Sequence, residues 1–133
     1  MPRARLLTWA CTLTAFLLAN LAIYSLLLEP NLVCLNVVRL RLPNLPEGLD
    51  GLRVALISDL HLHEVGLRES WTIWLISSAK PDFILIAGDL IEDAGGVGHA
   101  IEFVAKLSKI APVFIVWGNW DHWSHVDLSA FER

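Results

Sequence analysis

An aspartate and a histidine stand two residues apart at the end of a short apolar run, in Ile57-Ser58-Asp59-Leu60-His61. A hard anionic oxygen and an imidazole nitrogen brought to one point are the beginning of a divalent metal site. Alternate side chains of an extended segment share a face, so Asp59 and His61 are expected to point the same way from a strand end. The pattern of an apolar run closing on a polar group recurs at Gly88-Asp89 and Gly118-Asn119. A carboxylate has two oxygens, so Asp89 could join two ions, and Asn119 offers a neutral amide oxygen to the second. Gly88 lets the backbone approach such a crowded centre closely. Two ions about 3.5–4 Å apart can clamp a phosphoryl group and activate water near neutral pH.

Three successive elements must deliver these groups. Val54 to Ile57, Phe83 to Ala87 and Val113 to Trp117 are short, apolar runs, as expected of strands buried on both faces. Leu67, Trp71, Trp74, Leu75 and Ser78 recur at helical spacing before Pro81, and Ala100, Phe103, Val104 and Leu107 form a second stripe. Trp71 and Trp74 are therefore expected to pack in the core or an interface. The order β-α-β-α-β implies a parallel sheet with helices packed against it. In open α/β sheets ligands bind beyond the carboxyl ends of the strands, where Asp59, His61, Asp89 and Asn119 all fall.

The chain has 133 residues, a net charge of −4 and 55% apolar residues. No basic stripe is present, so nucleic acid is not an expected partner. Cys11 and Cys34 lie in unlike contexts and have no zinc-ligand spacing. The apolar excess is concentrated in Leu6 to Leu28, which carries no charge and is long enough to span a bilayer core of about 30 Å. Glu29-Pro30 ends the run. The segment reads as a signal anchor, with a cleaved signal peptide and a buried soluble helix as the alternatives. Arg3 and Arg5 before it favour a cytoplasmic N-terminus and an extracytoplasmic remainder, although Arg39 and Arg41 weaken the bias. Val38 to Leu42 alternates apolar and charged residues, as an edge strand would, and Asn44 to Gly51 is a turn-rich connector.

Ser58-Asp59-Leu60-His61, Ala87-Gly88-Asp89 and Gly118-Asn119-Trp120-Asp121 resemble, in order and spacing, the opening motifs of the calcineurin-like metallophosphoesterases. The resemblance covers about Leu49 to His125 and, with the leading apolar segment, extends to the membrane-associated bacterial branch. It implies a two-metal enzyme that cleaves phosphate monoesters, diesters or pyrophosphates. Asp59 and His61 then match first-metal ligands, Asp89 the bridging aspartate and Asn119 a second-metal ligand. The metals implied are two divalent ions, such as manganese, iron, zinc or magnesium. The substrate implied is a phosphate ester, lipid- or nucleotide-linked; some relatives in the branch hydrolyse UDP-2,3-diacylglucosamine. That role needs a cytoplasmic-leaflet substrate and conflicts with the topology above.

Two departures qualify this picture. The third motif usually carries a histidine where Trp120 stands, and an indole N–H can donate a hydrogen bond but cannot act as a general acid. Asp121 matches the motif's acidic position, and His122 is the adjacent candidate to take over at the leaving group; these two are the catalytic candidates. The family's later histidine motifs do not occur before Arg133. The expected architecture is thus the N-terminal half of an αββα sandwich preceded by one transmembrane helix. Residues 1–28 form the anchor, 29–52 the edge strand and connector, and 53–133 an incomplete catalytic domain. Its missing half would come from further sequence or a complementing chain. The rival expectation is a non-catalytic, membrane-tethered remnant.

Overall fold

The computed structural model describes residues 2–131. They belong to two compact units, residues 1–34 and 35–133.

The first unit is helical. Helix α1 (Pro2–Ile23) continues into a π-helical turn at Tyr24–Leu28 and a tight turn at Glu29–Asn31. Residues 3–31 form a helical stretch long and apolar enough to cross a membrane. Its polar side chains bond back onto its own backbone. Thr8 donates to the Ala4 carbonyl (2.9 Å), Thr12 to Trp9 (2.9 Å) and Asn20 to Phe16 (2.8 Å). A helix with its polar groups satisfied internally is the form that hydrocarbon tolerates.

The alternation at 38–42 does not produce the expected edge strand, since residues 32–42 carry no ladder. A strand exists only as a paired element, and Val37, Val38 and Leu40 are all exposed with no strand beside them among the described residues.

The second unit holds a parallel sheet in the order β1-β2-β3, made of β1 (Val54–Ile57), β2 (Phe83–Ala87) and β3 (Val113–Val116). Val54 pairs with Phe83, and Ile84 with Val113. The first pairing is fixed at its start by a reciprocal clasp. The Arg53 N–H donates to Asp82 Oδ2 (2.7 Å), and the Asp82 N–H donates to the Arg53 carbonyl (2.8 Å). Helix α2 (Leu67–Ala79) connects β1 to β2, and α3 (Val97–Leu107) connects β2 to β3. A short helix, α4 (Asn119–Trp123), follows β3.

Parallel strands in consecutive order, joined by crossovers of one hand, place both helices on the same side of the sheet. That side is the core: Ile84 and Ile86 meet Ile76 of α2 and Ala100, Phe103 and Leu107 of α3, with Leu62, Leu90 and Ile91 from the loops. The other side is bare. Leu56 is 67% exposed and Val116 70%, with Val54 and Phe114 also open. The strands therefore have the composition of doubly buried strands but only one covered face within these residues.

Helix α2 turns the opposite way from its expected orientation. Glu69, Thr72 and Ile76 are buried, while Leu67, Trp71 and Trp74 are exposed. Both sets recur at three-to-four-residue spacing, so periodicity alone admits either face. Glu69 is held inward by the cap described below. Trp71 and Trp74 stack on each other outside, with ring centroids 4.6 Å apart. The stripe on α3 lies where its spacing predicts, with Ala100, Phe103 and Leu107 fully buried.

The asymmetry of the sheet is measurable. Ile84→Ala should destabilise the chain by about 2–5 kcal/mol, as large-to-small changes in a packed core do. Leu56→Ala on the bare face should stay within about 0.5 kcal/mol, as open surface substitutions do. Urea unfolding of the chain in detergent, followed by tryptophan fluorescence, reads both; equal costs would contradict this packing.

Candidate metal centre

The site is built by continuing the sheet's pairing beyond the strand ends. The Asp59 N–H donates to the Gly88 carbonyl (3.2 Å), the His61 N–H to Asp89 (3.0 Å) and the Leu62 N–H to Leu90 (2.9 Å). Leu62 and Ile91 then form an isolated parallel bridge. The loops after β1 and β2 thus run side by side, and their polar residues arrive together.

Asp59, His61 and Asp89 are brought to one point, with one ligand atom from each lying within 4.8 Å of the others. The means differs from simple strand alternation. Asp59 has φ 53°, His61 φ 44° and Asp89 φ 52°, all left-handed. Non-glycine residues rarely adopt this conformation, and it persists where the surrounding structure imposes it, often at functional sites. The three other members of these loops that set the geometry are small or polar. Ser58 Oγ donates to Asp59 Oδ2 and lies 3.1 Å from the Ala87 carbonyl. Gly88 has φ 85°, and a Cβ there would come 2.9 Å from Gly118 Cα. A Cβ on Gly118 would in turn collide with the Asp89 carboxylate, so the second and third loops touch only because both positions lack a side chain.

The donor set suits a divalent cation. Two carboxylates this close repel each other unless positive charge lies between them, and an imidazole with carboxylate oxygens accommodates zinc, iron or manganese. His61 Nδ1 is buried without an aligned hydrogen-bond partner, and the ring has a second nitrogen, Nε2, to offer as a donor atom. Nδ1 lies 2.9 Å from Glu92 Oε2, a close contact outside hydrogen-bond geometry.

Asn119 opens α4 beside this group and is exposed. The backbone N–H of the next residue, Trp120, donates to Asp89 Oδ1 (2.9 Å), which ties α4 to the aspartate. His122 is exposed and lies outside the cluster. Asp121 takes a different part from the catalytic one expected of it. It is fully buried, and both of its oxygens are engaged. Oδ1 accepts the N–H groups of Leu90 (2.8 Å) and Ile91 (2.9 Å), and Oδ2 accepts that of Gly118 (2.9 Å). Asp121 therefore staples the loop carrying Asp89 to the loop carrying Asn119, and it is sealed from any substrate. His63 faces exposed Asp93 at 3.3 Å, away from the centre.

Two residues that hold the site, Glu69 and Arg68, were not singled out by sequence, and a third, Glu92, reads from the sequence as a loop residue in solvent rather than as a supporting one. Glu69 closes the first turn of α2, accepting the Gly66 N–H on Oε2 (2.9 Å). Its Oε1 pairs with Arg68 Nε (2.6 Å), and Arg68 Nη2 donates to the Leu60 carbonyl (2.8 Å). Leu60 lies between Asp59 and His61, so this chain of bonds steadies the strained turn from below. Glu92 is the third. Its position three residues after Asp89 was the available signal, but charged loop residues are usually solvated.

With this geometry in view, the comparisons are coherent. The sequence profile of the calcineurin-like phosphoesterases matches residues 52–133, and the chain belongs to that family. It is 29% identical over 101 residues to "Uncharacterized metallophosphoesterase YkuE" of Bacillus subtilis (strain 168), covering 72% of this chain and 35% of that protein. It is 32% identical over 82 residues to "Transmembrane protein with metallophosphoesterase domain" of Danio rerio, covering 60% of this chain and 19% of that protein. The chain thus spans about a third or less of the length of these relatives. No solved structure matches it significantly.

The Glu69 cap carries a pH signature. Burial pushes its carboxyl up, but the Arg68 hydrogen bond, the backbone N–H groups of Glu69 and Gly66 and the Arg68 charge outweigh this and hold it below its ordinary 4.5. A folded-state value below the unfolded one adds stability above pH 4.5, and that stability is lost as pH falls through the folded value. Glu69→Gln should therefore flatten the fall in stability below pH 4.5, measured by urea midpoints from pH 6 downward; an unchanged slope would contradict this account. Asp121→Asn places an amide N–H₂ against backbone donors and should cost about 1–3 kcal/mol in the same unfolding experiment.

Proposed function

We infer that this chain carries the first metal half-site of a membrane-tethered phosphoesterase that hydrolyses phosphate esters with two divalent ions. The observation that supports this most is the convergence of Asp59, His61 and Asp89 within 4.8 Å, each in a left-handed backbone conformation. In this reading Asp59, His61 and Asp89 hold the first ion. Asp89 would also help hold the second, to which Asn119 would contribute its amide oxygen. When bound, such ions supply Lewis-acid polarisation of the phosphoryl oxygens and activation of water. The chain's own residues set the geometry. Asp121 fixes the distance between the Asp89 and Asn119 loops, Gly88 and Gly118 let them touch, and the Arg68–Leu60 bond holds the Asp59-to-His61 turn. His122 is the proposed proton donor to the leaving group, since Trp120 cannot serve as one.

The bare face of the sheet supports a further layer packed against Val54, Leu56, Phe114 and Val116, giving the full αββα sandwich and the remaining metal donors. That layer comes from additional residues of a longer polypeptide or from a complementing chain. The apolar helix supports single-pass attachment to a membrane, and Arg3 and Arg5 ahead of it are the reason for proposing the extracytoplasmic side for the site. The substrate proposed is a phosphate ester carrying a lipid or nucleotide group. The same bare face also favours a second reading, in which the 133 residues bind metal but do not turn over substrate on their own.

Manganese binding to the purified chain in detergent micelles, followed by electron paramagnetic resonance, tests the site. Saturable binding that weakens at least about tenfold in Asp89→Ala is expected, since ligands lend far more than the neighbours whose loss costs about 10–100-fold. Failure of the unaltered chain to bind manganese, zinc or iron would overturn the reading. Hydrolysis of bis(4-nitrophenyl) phosphate separates the two versions: turnover abolished by Asp89→Ala means that the half-site suffices, and no turnover supports the binding-only version. A reporter fused after Arg133 should be active only outside the cytoplasm; activity of a cytoplasmic reporter would reverse the topology.

A further inference from the structure

Glu92 lies outside the metal-ligand cluster yet touches His61, Leu62 and Trp120. Its carboxylate Oε2 stands 2.9 Å from His61 Nδ1. Its N–H donates to the carbonyl of Leu62, the residue following the histidine (3.3 Å). Its own carbonyl accepts the indole N–H of Trp120 (2.9 Å). Trp120 in turn packs edge-on against the imidazole, with ring centroids 5.4 Å apart and planes at 82°. The indole N–H is therefore committed to Glu92, and the tryptophan that replaces the expected histidine acts as a wall beside His61. The Glu92 side chain is 43% exposed, so it has room to turn its oxygen into line with the Nδ1–H.

We propose that Glu92 is the positioning residue for His61. Its carboxylate takes the Nδ1–H, Trp120 closes the side of the ring, and Nε2 is left as the nitrogen that faces Asp59 and Asp89. A histidine that ligates a metal needs one ring nitrogen bare, and a carboxylate on the other nitrogen fixes that tautomer and the ring orientation together. Trp120 adds rigidity, because rotation of the imidazole would have to displace an indole anchored at both its backbone N–H and its ring N–H. The consequence for an ion rests on the metal-binding reading above; the tautomer does not.

The test uses the full chain in detergent micelles, with Glu92→Ala and Glu92→Gln compared to the unaltered sequence. In the metal-free chain, nitrogen-15 NMR of the imidazole should show the Nδ1–H tautomer for His61. Glu92→Ala should lose it, and Glu92→Gln should keep it, because the amide oxygen still accepts the bond. Manganese affinity by electron paramagnetic resonance should fall about 10–100-fold in Glu92→Ala and recover most of that loss in Glu92→Gln. Amide resonances of the α3 core serve as the folding control. An Nδ1–H tautomer that survives in Glu92→Ala, or a manganese affinity unchanged by it, overturns the proposal. A Glu92→Gln variant as weak as Glu92→Ala also overturns it, since charge and not orientation would then be the cause. If the unaltered chain binds no metal, the metal-binding reading falls and the tautomer comparison alone decides this one.

Discussion

The site depends first on a carboxylate that no substrate can reach. Asp121 is fully buried and accepts three backbone N–H groups, two from the loop after β2 and one from the loop after β3. A buried charge is costly unless it is well matched by donors, and donors in the first turn of a helix or in a tight loop need an acceptor just as much. Here each solves the other's problem. The result is a fixed separation between Asp89 and Asn119, to which the Trp120 N–H on Asp89 Oδ1 adds a second tie. The carboxylate also accepts from Gly118 at the start of its own helix, so the same group caps α4 and joins it to the neighbouring loop.

This arrangement explains why the backbone around the ligands can remain strained. Left-handed conformations at Asp59, His61 and Asp89 would relax if each loop stood alone. They are held by interloop hydrogen bonds from Asp59, His61 and Leu62, by Arg68 on the Leu60 carbonyl, and by the collision-free contact of Gly88 with Gly118. Strand pairing supplies the direction, and the loops inherit it. The convergence is a product of the parallel sheet carried two or three residues past its formal ends.

Much of this was legible in the residues. The strands, the two crossover helices and the placement of Asp59, His61 and Asp89 beyond strand ends follow from apolar runs, helical spacing and the general rule for parallel sheets. Other features were hidden for identifiable reasons. The core-facing side of α2 was not decided by spacing, because Leu67, Trp71 and Trp74 share a period with Glu69, Thr72 and Ile76, and the buried face is the one that carries the Glu69 cap. The alternation at 38–42 looks like a strand but has no partner to pair with. The structural task of Asp121 was invisible because a carboxylate beside a ligand motif reads as chemistry, whereas its role is set by amides about thirty residues away.

Trp120 shows how such a frame can absorb a change of residue. A histidine in that position would bring a second ring nitrogen able to accept a proton. The indole has one N–H and no basic atom, so it can only donate. In this chain that single donor goes to the Glu92 carbonyl, while the ring edge meets His61. The indole therefore serves as a structural group in this chain. Trp123 packs against Trp120 at 5.8 Å and is largely exposed, which extends the same apolar wall outward from the centre. The tryptophan therefore acts by packing and by its one donated bond, and it brings no charge of its own.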